Sequence, residues 1–245
     1  MSGDMIHKTR GIVLHSVKYG ETSLIAHVYT EAFGSQSYLL KGIRSPRSRM
    51  KPALFRPLAL LEMVVYKSDK QTLQHVREVH LAIPYKSLDT DIRKSSIALF
   101  LTELIWKSIR MEESYPELFG YLWNTFPLLD SQEENLASFH LVFAVGLCRY
   151  LGFQPQQNRS DSRRFFQLRE GSFQAVFHPG TECLDETESI WFSALMETQM
   201  DRFSTLVIPP GMRGKLLEKL LLYYRLHLPG FPEIRSHAIL HILLS

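Results

Sequence analysis

A small β-barrel followed by a bundle of helices is the architecture that this 245-residue sequence predicts. Up to about residue 82 the apolar residues occur in short runs rich in β-branched and aromatic side chains, which is typical of strands. From about residue 85 onward they recur at intervals of three and four, which indicates helices. We therefore predict a barrel domain over residues 1–82 and a helical domain over residues 83–245.

Five strands are predicted in the first part of the chain. Turn residues such as Tyr19-Gly20-Glu21 and Phe33-Gly34-Ser35 separate them, and the spacing leaves no room for helical crossovers. This fits a closed or half-closed barrel, whereas the alternative, a sandwich, would have two thin sheets. The predicted strands are Gly11–Lys18, Thr22–Thr30, Ser37–Lys41, Leu58–Lys67 and Thr72–Leu81.

Five or six helices are predicted in the second part. The apolar spacing of residues 97–109 indicates a helix from Asp89 to Met111. Two S-x-x-E segments, Ser114–Glu117 and Ser131–Glu134, predict capping boxes at helix starts. A further helix covers Lys215–Leu228, and Pro232 is expected in the first turn of the last one. The helix Lys215–Leu228 carries an apolar stripe that is predicted to be core, formed by Leu216, Leu217, Leu220, Leu221 and Tyr224.

A segment at about residues 154–183 interrupts the helical pattern. Its aromatic residues alternate around Glu170-Gly171, which predicts a β-hairpin turning at that point. We expect it to be an insert within the helical domain, held by the side chains of Phe165, Phe166, Phe173 and Phe177.

The composition excludes several classes of protein. At 45% hydrophobic and 22% charged residues the chain is too apolar for a disordered protein. Its two cysteines exclude a disulfide scaffold and a four-thiolate zinc site. No apolar run is long enough to span a bilayer, and no secretion signal is recognised near the N-terminus. A cytoplasmic location is therefore the expectation.

Positive charge is concentrated in the first part of the chain. Residues 1–80 contain twelve Lys/Arg and six Asp/Glu, a net of +6, whereas the chain as a whole carries +3. The segment Lys41–Arg56 has six Lys/Arg and no acid in sixteen residues, and it is predicted to be a flexible loop. Such a loop suits phosphate oxygens, although a merely solvated basic loop is the alternative. The predicted phosphate contacts are Lys41, Arg44, Arg47, Arg49, Lys51 and Arg56, with Lys8, Arg10 and Lys18 extending the surface.

Signatures of catalysis are missing from the sequence. It has no phosphate-binding G-x-x-x-x-G-K-[ST] loop, no G-x-G-x-x-G and no G-x-S-x-G. His237 and His241 are four residues apart but lack the context of a zinc site. We therefore predict no catalytic residue, no metal ligand and no cofactor, and a protein that is not an enzyme.

Several segments resemble the bacterial recombination mediator RecO family. The apolar strand ending in Tyr19-Gly20-Glu21-Thr22-Ser23, followed by Phe33-Gly34 and by Leu40-Lys41-Gly42-Ile43-Arg44, is similar to the start of these proteins. Tyr150-Leu151-Gly152-Phe153-Gln154-Pro155 resembles the segment before the family's zinc-binding insert. The resemblance covers most of the chain and implies an OB-fold followed by a helical domain.

The sequence departs from the family where many members bind zinc. The positions of the first cysteine pair correspond to Ser160 and Arg163, and those of the second to Cys183 and Glu186. One thiol, even with His178 nearby, cannot complete a tetrahedral site. We therefore predict that the hairpin forms without zinc.

The resemblance also implies partners and a function in DNA repair and recombination. Proteins of this family bind single- and double-stranded DNA, anneal complementary strands without ATP, and help to load RecA together with RecR and the acidic tail of the single-stranded DNA-binding protein SSB. A nucleoid-associated location follows. Bases could stack on Tyr29, Tyr38 and Tyr66 of the OB-fold, although barrel core is the alternative for each. The SSB tail could bind Lys215, Lys219 and Arg225, which share one side of a helix, and the alternative is a core helix with ordinary solvated cations.

Two other classes of function stay open. A protein-binding adaptor with no affinity for nucleic acid would explain the helical bundle and the missing catalytic groups. A nuclease would need clustered carboxylates for Mg²⁺, and the basic segment has few to offer.

Overall fold

The computed structural model describes residues 5–48, 50–68, 71–109, 112–180 and 182–244. The chain forms two compact units. The first unit comprises residues 1–86 and 109–127, and the second comprises residues 87–108 and 128–245. The domain boundary at residues 82 and 83 stays a prediction.

The predicted five-stranded barrel is confirmed. Its strands are β1 (Met5–Tyr19), β2 (Ser23–Thr30), β3 (Gly34–Leu40), β4 (Leu60–Lys67) and β5 (Leu73–Ile83). They close in the order β1-β2-β3-β5-β4. Only the pairing of β3 with β5 is parallel, and the other pairs are antiparallel.

Strand β1 pairs with two neighbours. Met5–Ile12 pairs with β4, and Gly11–Tyr19 pairs with β2, with a register shift between Val13 and His15. Gly11 belongs to both ladders, and a Cβ atom there would lie 2.7 Å from Cγ1 of Val28 and 2.9 Å from Sδ of Met63. A side chain larger than that of glycine would therefore disturb the place where the barrel closes.

Alternate residues of the strands fill the barrel. Val13, Ala26, Val28, Tyr38, Leu61 and Val65 are buried in one cluster. Ile43 and Phe55, from the connection between β3 and β4, belong to the same cluster. The connection is therefore part of the barrel's core at two points.

Six α-helices are present in the described residues, in agreement with the predicted number. They are α1 (Ile92–Ser108), α2 (Pro116–Ser131), α3 (Phe139–Tyr150), α4 (Glu186–Glu197), α5 (Pro210–His227) and α6 (His237–Leu244). Short 3-10 helices cover Pro52–Phe55, Leu136–Ser138 and Met200–Thr205. The predicted apolar stripe of α5 is buried, which confirms it as core.

The predicted helix starts are wrong at three places. Ser114 lies before α2, and its hydroxyl donates to the carbonyl of Glu31 at 2.7 Å. Ser131 ends α2 and donates back to the carbonyl of Leu128. Pro232 precedes α6 by five residues. Ser114 forms a hydrogen bond with a residue distant in sequence, and Ser131 belongs to the end of the preceding helix. A local pattern does not reveal either arrangement.

The capping box that does form lies at Asp185 and Glu188. The Asp185 carboxylate accepts from the backbone N–H of Glu188 at 2.7 Å, and the Glu188 carboxylate accepts from that of Asp185 at 3.1 Å. These reciprocal bonds satisfy two amides at the start of α4.

The predicted hairpin insert is confirmed. Strands β6 (Phe165–Gln167) and β7 (Ser172–Gln174) are joined by a turn that includes Gly171, whose φ is +63°. The predicted aromatic contacts are present, with ring centroids 5.0 Å apart for Phe166 and Phe173 and 5.3 Å apart for Phe165 and Phe177. Phe166 also packs on Phe192 of α4 at 4.5 Å.

A buried lysine joins α1 to the end of α2 in the second unit. The ammonium of Lys94 donates to the hydroxyl of Ser87 at 2.6 Å and to the carbonyl of Asp130 at 2.5 Å. The Asp130 carboxylate in turn accepts from the backbone N–H groups of Ser87 and Leu88, both at 2.8 Å. Hydrogen bonds of this kind compensate for burial of the charge.

The carboxylate of Glu103 on α1 holds the start of α6. It accepts from the backbone N–H of Ser236 at 2.8 Å, the Ser236 hydroxyl at 2.5 Å and the ammonium of Lys107 at 2.5 Å. Burial acts to raise the pKa of Glu103, but the hydrogen bonds from Lys107, Ser236 and Arg235 prevail and lower it to about 2. An anion beside the N-terminus of a helix also stabilises the helix dipole.

We expect the change Glu103→Gln to lower the free energy of unfolding at pH 7 by about 1–3 kcal/mol, because bonds to a charged acceptor are lost. A carboxyl with a lowered folded-state pKa stabilises the fold above its ordinary pKa. That stability is lost as pH falls from about 4.5 towards 2. Urea unfolding over this pH range should show that the free energy of unfolding falls less steeply with decreasing pH for the variant than for the wild type. Glu182→Gln, which removes an exposed ion pair with Arg169, is the matched control. If the free energy of unfolding fell equally steeply with pH for Glu103→Gln and the wild type, the lowered pKa of Glu103 would be contradicted.

Candidate nucleic-acid interface

The basic connection between β3 and β4 is built from hydrogen-bonded turns. The backbone N–H of Arg44 donates to the carbonyl of Thr22 at 2.9 Å, and its guanidinium donates to the carbonyl of Glu21 at 3.1 Å. Further turns join Ser45 to Gly42 and Ser48 to Ser45. Ile43 and Phe55 are buried in the core, so the segment is anchored at both ends, and the predicted flexibility between them stays a prediction. The turns attach this segment, which we call the basic connection (residues 41–56), to the turn between β1 and β2.

Five of the predicted phosphate contacts lie exposed on or next to the basic connection. These residues are Lys18, Lys41, Arg44, Arg47 and Lys51. Among the described residues, none of them has a carboxylate within ion-pair distance. Arg56 is half-buried, with its guanidinium 6.0 Å from the ring centroid of Tyr85. Arg49 lies outside the described residues.

Arg10 is paired with a carboxylate of the barrel. Its guanidinium forms two hydrogen bonds with the Glu31 carboxylate, at 2.8 and 2.6 Å, and these lower the pKa of Glu31. The same group lies 5.3 and 4.9 Å from the ring centroids of Phe119 and Trp123. The prediction that Arg10 extends the phosphate-binding surface stays a prediction, and a phosphate would have to compete there with the Glu31 carboxylate.

Lys8 lies on the same acidic side of the barrel as Arg10. Both line a depression of about 440 Å³ together with Glu31, Glu62, Glu78 and His80. Glu31 is paired with Arg10, which leaves two carboxylates, Glu62 and Glu78, beside the single cation Lys8. Lys8 is exposed, but its surroundings do not extend the basic connection.

Tyr29 and Tyr38 are not available to stack on bases. Both are fully buried, Tyr38 inside the barrel and Tyr29 at 6.3 Å from the ring of Phe119. Burial raises the pKa of Tyr29 to about 12 and raises that of Tyr38 further. The stacking role predicted for these two tyrosines is wrong, whereas Tyr66 is half-buried on the outside of β4.

Three histidines that no sequence motif singled out lie on the outside of the barrel. His15, His27 and His75 lie on β1, β2 and β5, and each is exposed or half-buried. The rings of His15 and His27 are nearly parallel, with centroids 6.1 Å apart and an angle of 14° between planes. The alternation of His27 with the buried residues Ala26 and Val28 is the signal in the sequence that places it outside the barrel.

The three cations predicted on α5 have different surroundings. Lys215 is exposed, whereas Lys219 is half-buried and its ammonium lies 3.4 Å from the carbonyl of Cys183 in the insert. Arg225 lines a cavity of about 130 Å³ with Leu221, Phe231 and Ile234. Glu218 and Glu233 line the same cavity. Of the three cations, Arg225 is therefore the one that lies beside apolar side chains in a cavity.

The residues of the insert do not fit a tetrahedral zinc site. Ser160 and Arg163 close a tight turn through two backbone hydrogen bonds of 3.1 Å. Cys183 and Cys148 are buried, and the Cys148 thiol donates to the carbonyl of Ala144, while burial raises its pKa and disfavours the thiolate that zinc requires. Within the described ranges, no three His, Cys, Asp or Glu side chains are grouped to hold a metal ion. No helix within the described ranges is long and apolar enough to cross a membrane.

We expect the change Arg10→Lys to lower the free energy of unfolding by about 1 kcal/mol, because lysine cannot reproduce the planar two-bond contact or the stacking on Phe119 and Trp123. Urea unfolding measures the effect. Arg77→Lys is the matched control, since the ion pair that Arg77 forms among the described residues is with the adjacent exposed Glu78, at 3.3 Å. Equal stabilities of the two variants would contradict a structural role for Arg10.

Comparison with known proteins matches both parts of the chain to the same family. Residues 3–85 match the family described as "Recombination protein O N terminal", and residues 89–236 match "Recombination protein O C terminal". Proteins named DNA repair protein RecO from Bacteroides fragilis and Flavobacterium johnsoniae are each 35% identical, over 98% and 97% of this chain and 100% and 99% of their own lengths. That of Azobacteroides pseudotrichonymphae is 32% identical over 97% of this chain and 98% of its own. The chain therefore belongs to the recombination protein O family of DNA repair proteins.

Proposed function

We propose that this protein is a recombination mediator that binds DNA, anneals complementary single strands without ATP, and helps to load RecA on SSB-coated DNA together with RecR. We further propose that it acts by binding alone and catalyses no reaction. The family and the names of the relatives support a role in DNA repair. The finer steps rest on the resemblance and on the charges of the barrel.

The observation that carries the proposal is the exposed, uncompensated charge at the basic connection. Lys18, Lys41, Arg44, Arg47 and Lys51 have no carboxylate partner among the described residues, unlike Arg10 on the acidic side. Like charges held together without counter-charges repel one another, and a polyanion relieves that repulsion. Phosphate binding is therefore the interaction that these side chains favour.

Annealing requires only that phosphate repulsion between two strands be screened while their bases meet. Lysine and arginine side chains neutralise phosphates and release counterions, so the binding weakens as salt increases. The turns of the basic connection hold its cations at the rim of the barrel, where a strand can reach them without covering the base edges that must pair.

Recruitment of SSB would use a site on the second unit. The SSB tail is acidic and ends in an apolar residue, so it needs a cation beside a small apolar cavity. The cavity next to Arg225 combines this cation with an apolar side of Leu221, Phe231 and Ile234. Glu218 and Glu233 also line it, and their charge opposes an acidic tail. Lys219 already contacts the insert, and Lys215 does not line this cavity.

The double change Arg44→Ala and Arg47→Ala should lower the affinity for a single-stranded oligonucleotide and flatten its salt dependence. Each lost phosphate contact lowers the slope of log K against log salt by about 0.7. Arg169→Ala is the control, because that exposed arginine is already paired with Glu182 at 2.9 and 2.6 Å. Fluorescence anisotropy measures binding, and annealing of SSB-coated oligonucleotides by the same proteins tests the mediator step. A wild-type protein without affinity even at low salt would instead be an adaptor, and cleavage of DNA with Mg²⁺ would show an enzyme.

Arg225→Ala should weaken binding of an acidic peptide with an apolar C-terminal residue by about tenfold, because a charge-assisted hydrogen bond is lost. Lys215→Ala, on the same helix but away from the cavity, is the matched control. Glu218→Gln should tighten binding, since it removes a negative charge from the cavity wall. Calorimetry measures all three, and an equal loss for Lys215→Ala would contradict the location of the site.

A further inference from the structure

A second group of cations lies in the insert, which belongs to a different compact unit from the basic connection. Residues 159–164 contain three arginines, Arg159, Arg163 and Arg164, and one acid, Asp161. All six residues of this segment, which we call the arginine turn (residues 159–164), are exposed.

The arginine turn has a defined backbone. Ser160 and Arg163 exchange two backbone hydrogen bonds of 3.1 Å, so that only two residues lie between them. Nε of Arg164 donates to the carbonyl of Asp161 at 2.9 Å, which closes the turn further. Arg159 and Arg164 directly precede and follow the paired residues, so the two strands of the turn bring these arginines close together.

Both ends of the arginine turn are anchored to the hairpin. The side-chain amide of Asn158 accepts from the backbone N–H of Phe173 at 2.8 Å and donates to its carbonyl at 3.3 Å. On the other side, Phe165 begins β6 and packs on Phe177 at 5.3 Å. Because the backbone is already held at both ends, a ligand that binds the arginines orders little additional chain.

Positive charge at the arginine turn is only partly compensated. Among the described residues, Arg159 and Arg163 have no carboxylate within ion-pair distance. Arg164 is 3.4 Å from the Glu186 carboxylate, an exposed contact. In contrast, Arg169 of the same insert is paired with Glu182 at 2.6 Å. Neighbouring cations with few counter-charges favour an anionic ligand.

The polar groups of the arginine turn suit phosphates. The hydroxyls of Ser160 and Ser162 are 3.2 Å apart and exposed beside the arginines. Serine hydroxyls and guanidinium groups are common donors to the phosphate oxygens of nucleic acids. None of the six residues is apolar, so an acidic peptide would find no apolar contact within the turn. A polynucleotide backbone, with one charge at each nucleotide, is the polyanion that this chemistry favours.

We propose that the arginine turn binds the phosphates of a second DNA strand while the basic connection binds those of the first. This inference rests on the proposed annealing function and deepens it, because annealing requires two strands on one protein. Contacts to phosphates leave base edges free, so a strand held in this way can still pair with its complement.

The test uses two oligo-dT strands of about 20 nucleotides, one with a donor dye and one with an acceptor dye, which cannot pair with each other. Energy transfer between them therefore reports two strands held by the protein. The wild-type protein should give energy transfer at low salt. The double change Arg159→Ala and Arg163→Ala should weaken binding of the second strand about tenfold, because two phosphate contacts are lost. Anisotropy with excess protein should show that its affinity for one strand stays within about twofold of the wild type.

Arg169→Ala is the matched control, since it changes an arginine of the same insert that is already paired with Glu182. It should keep the energy transfer of the wild type. Asp161→Asn should strengthen binding of the second strand, because it removes the carboxylate of the turn.

Three results would overturn the inference and leave DNA binding by the basic connection intact. They are an absence of energy transfer in a wild-type protein that binds one strand, unchanged energy transfer in the Arg159/Arg163 variant, and an equal loss for Arg169→Ala. Absence of binding to either strand at low salt would instead reject the proposed function.

Discussion

Pairing of β1 with both β2 and β4 is the interaction on which the barrel and its candidate interface depend. Strand β1 can serve two neighbours because its register shifts between Val13 and His15 and because Gly11 leaves room for Val28 and Met63. A bulge bends the strand and increases its twist, so the sheet can close. Parallel pairing of β3 with β5 completes the closure.

Closure also sorts the charges of the first unit. Strand β4 lies against the first half of β1, so Arg10 and Lys8 lie near Glu62 and Glu78. The second half of β1 pairs with β2, next to the basic connection, where no described carboxylate pairs with the cations. Cations of the first unit therefore have different surroundings. Arg10 is paired with Glu31, whereas Arg44 and Arg47 are exposed and have no carboxylate partner among the described residues.

The second unit depends on apolar packing and buried hydrogen bonds. Phe166 packs on Phe173 and Phe192, and the turn of Ser160 and Arg163 closes through its own backbone. Lys94 and Glu103 add charged hydrogen bonds that join helix ends to α1. Aromatic contacts of this kind contribute beyond the area they bury, so a small insert can be held by the helices around it.

The sequence by itself determined the number of strands, the hairpin at Gly171, the apolar stripe of α5 and the position of the basic connection. These features depend on local periodicity, on turn residues and on charge, which are properties of neighbouring residues. Only the tertiary structure decided that Tyr29 and Tyr38 are buried, that Arg10 is paired with Glu31, and that His15, His27 and His75 share one face. Each depends on the register between strands distant in sequence, and a shift by one residue would exchange the inside and outside of the barrel.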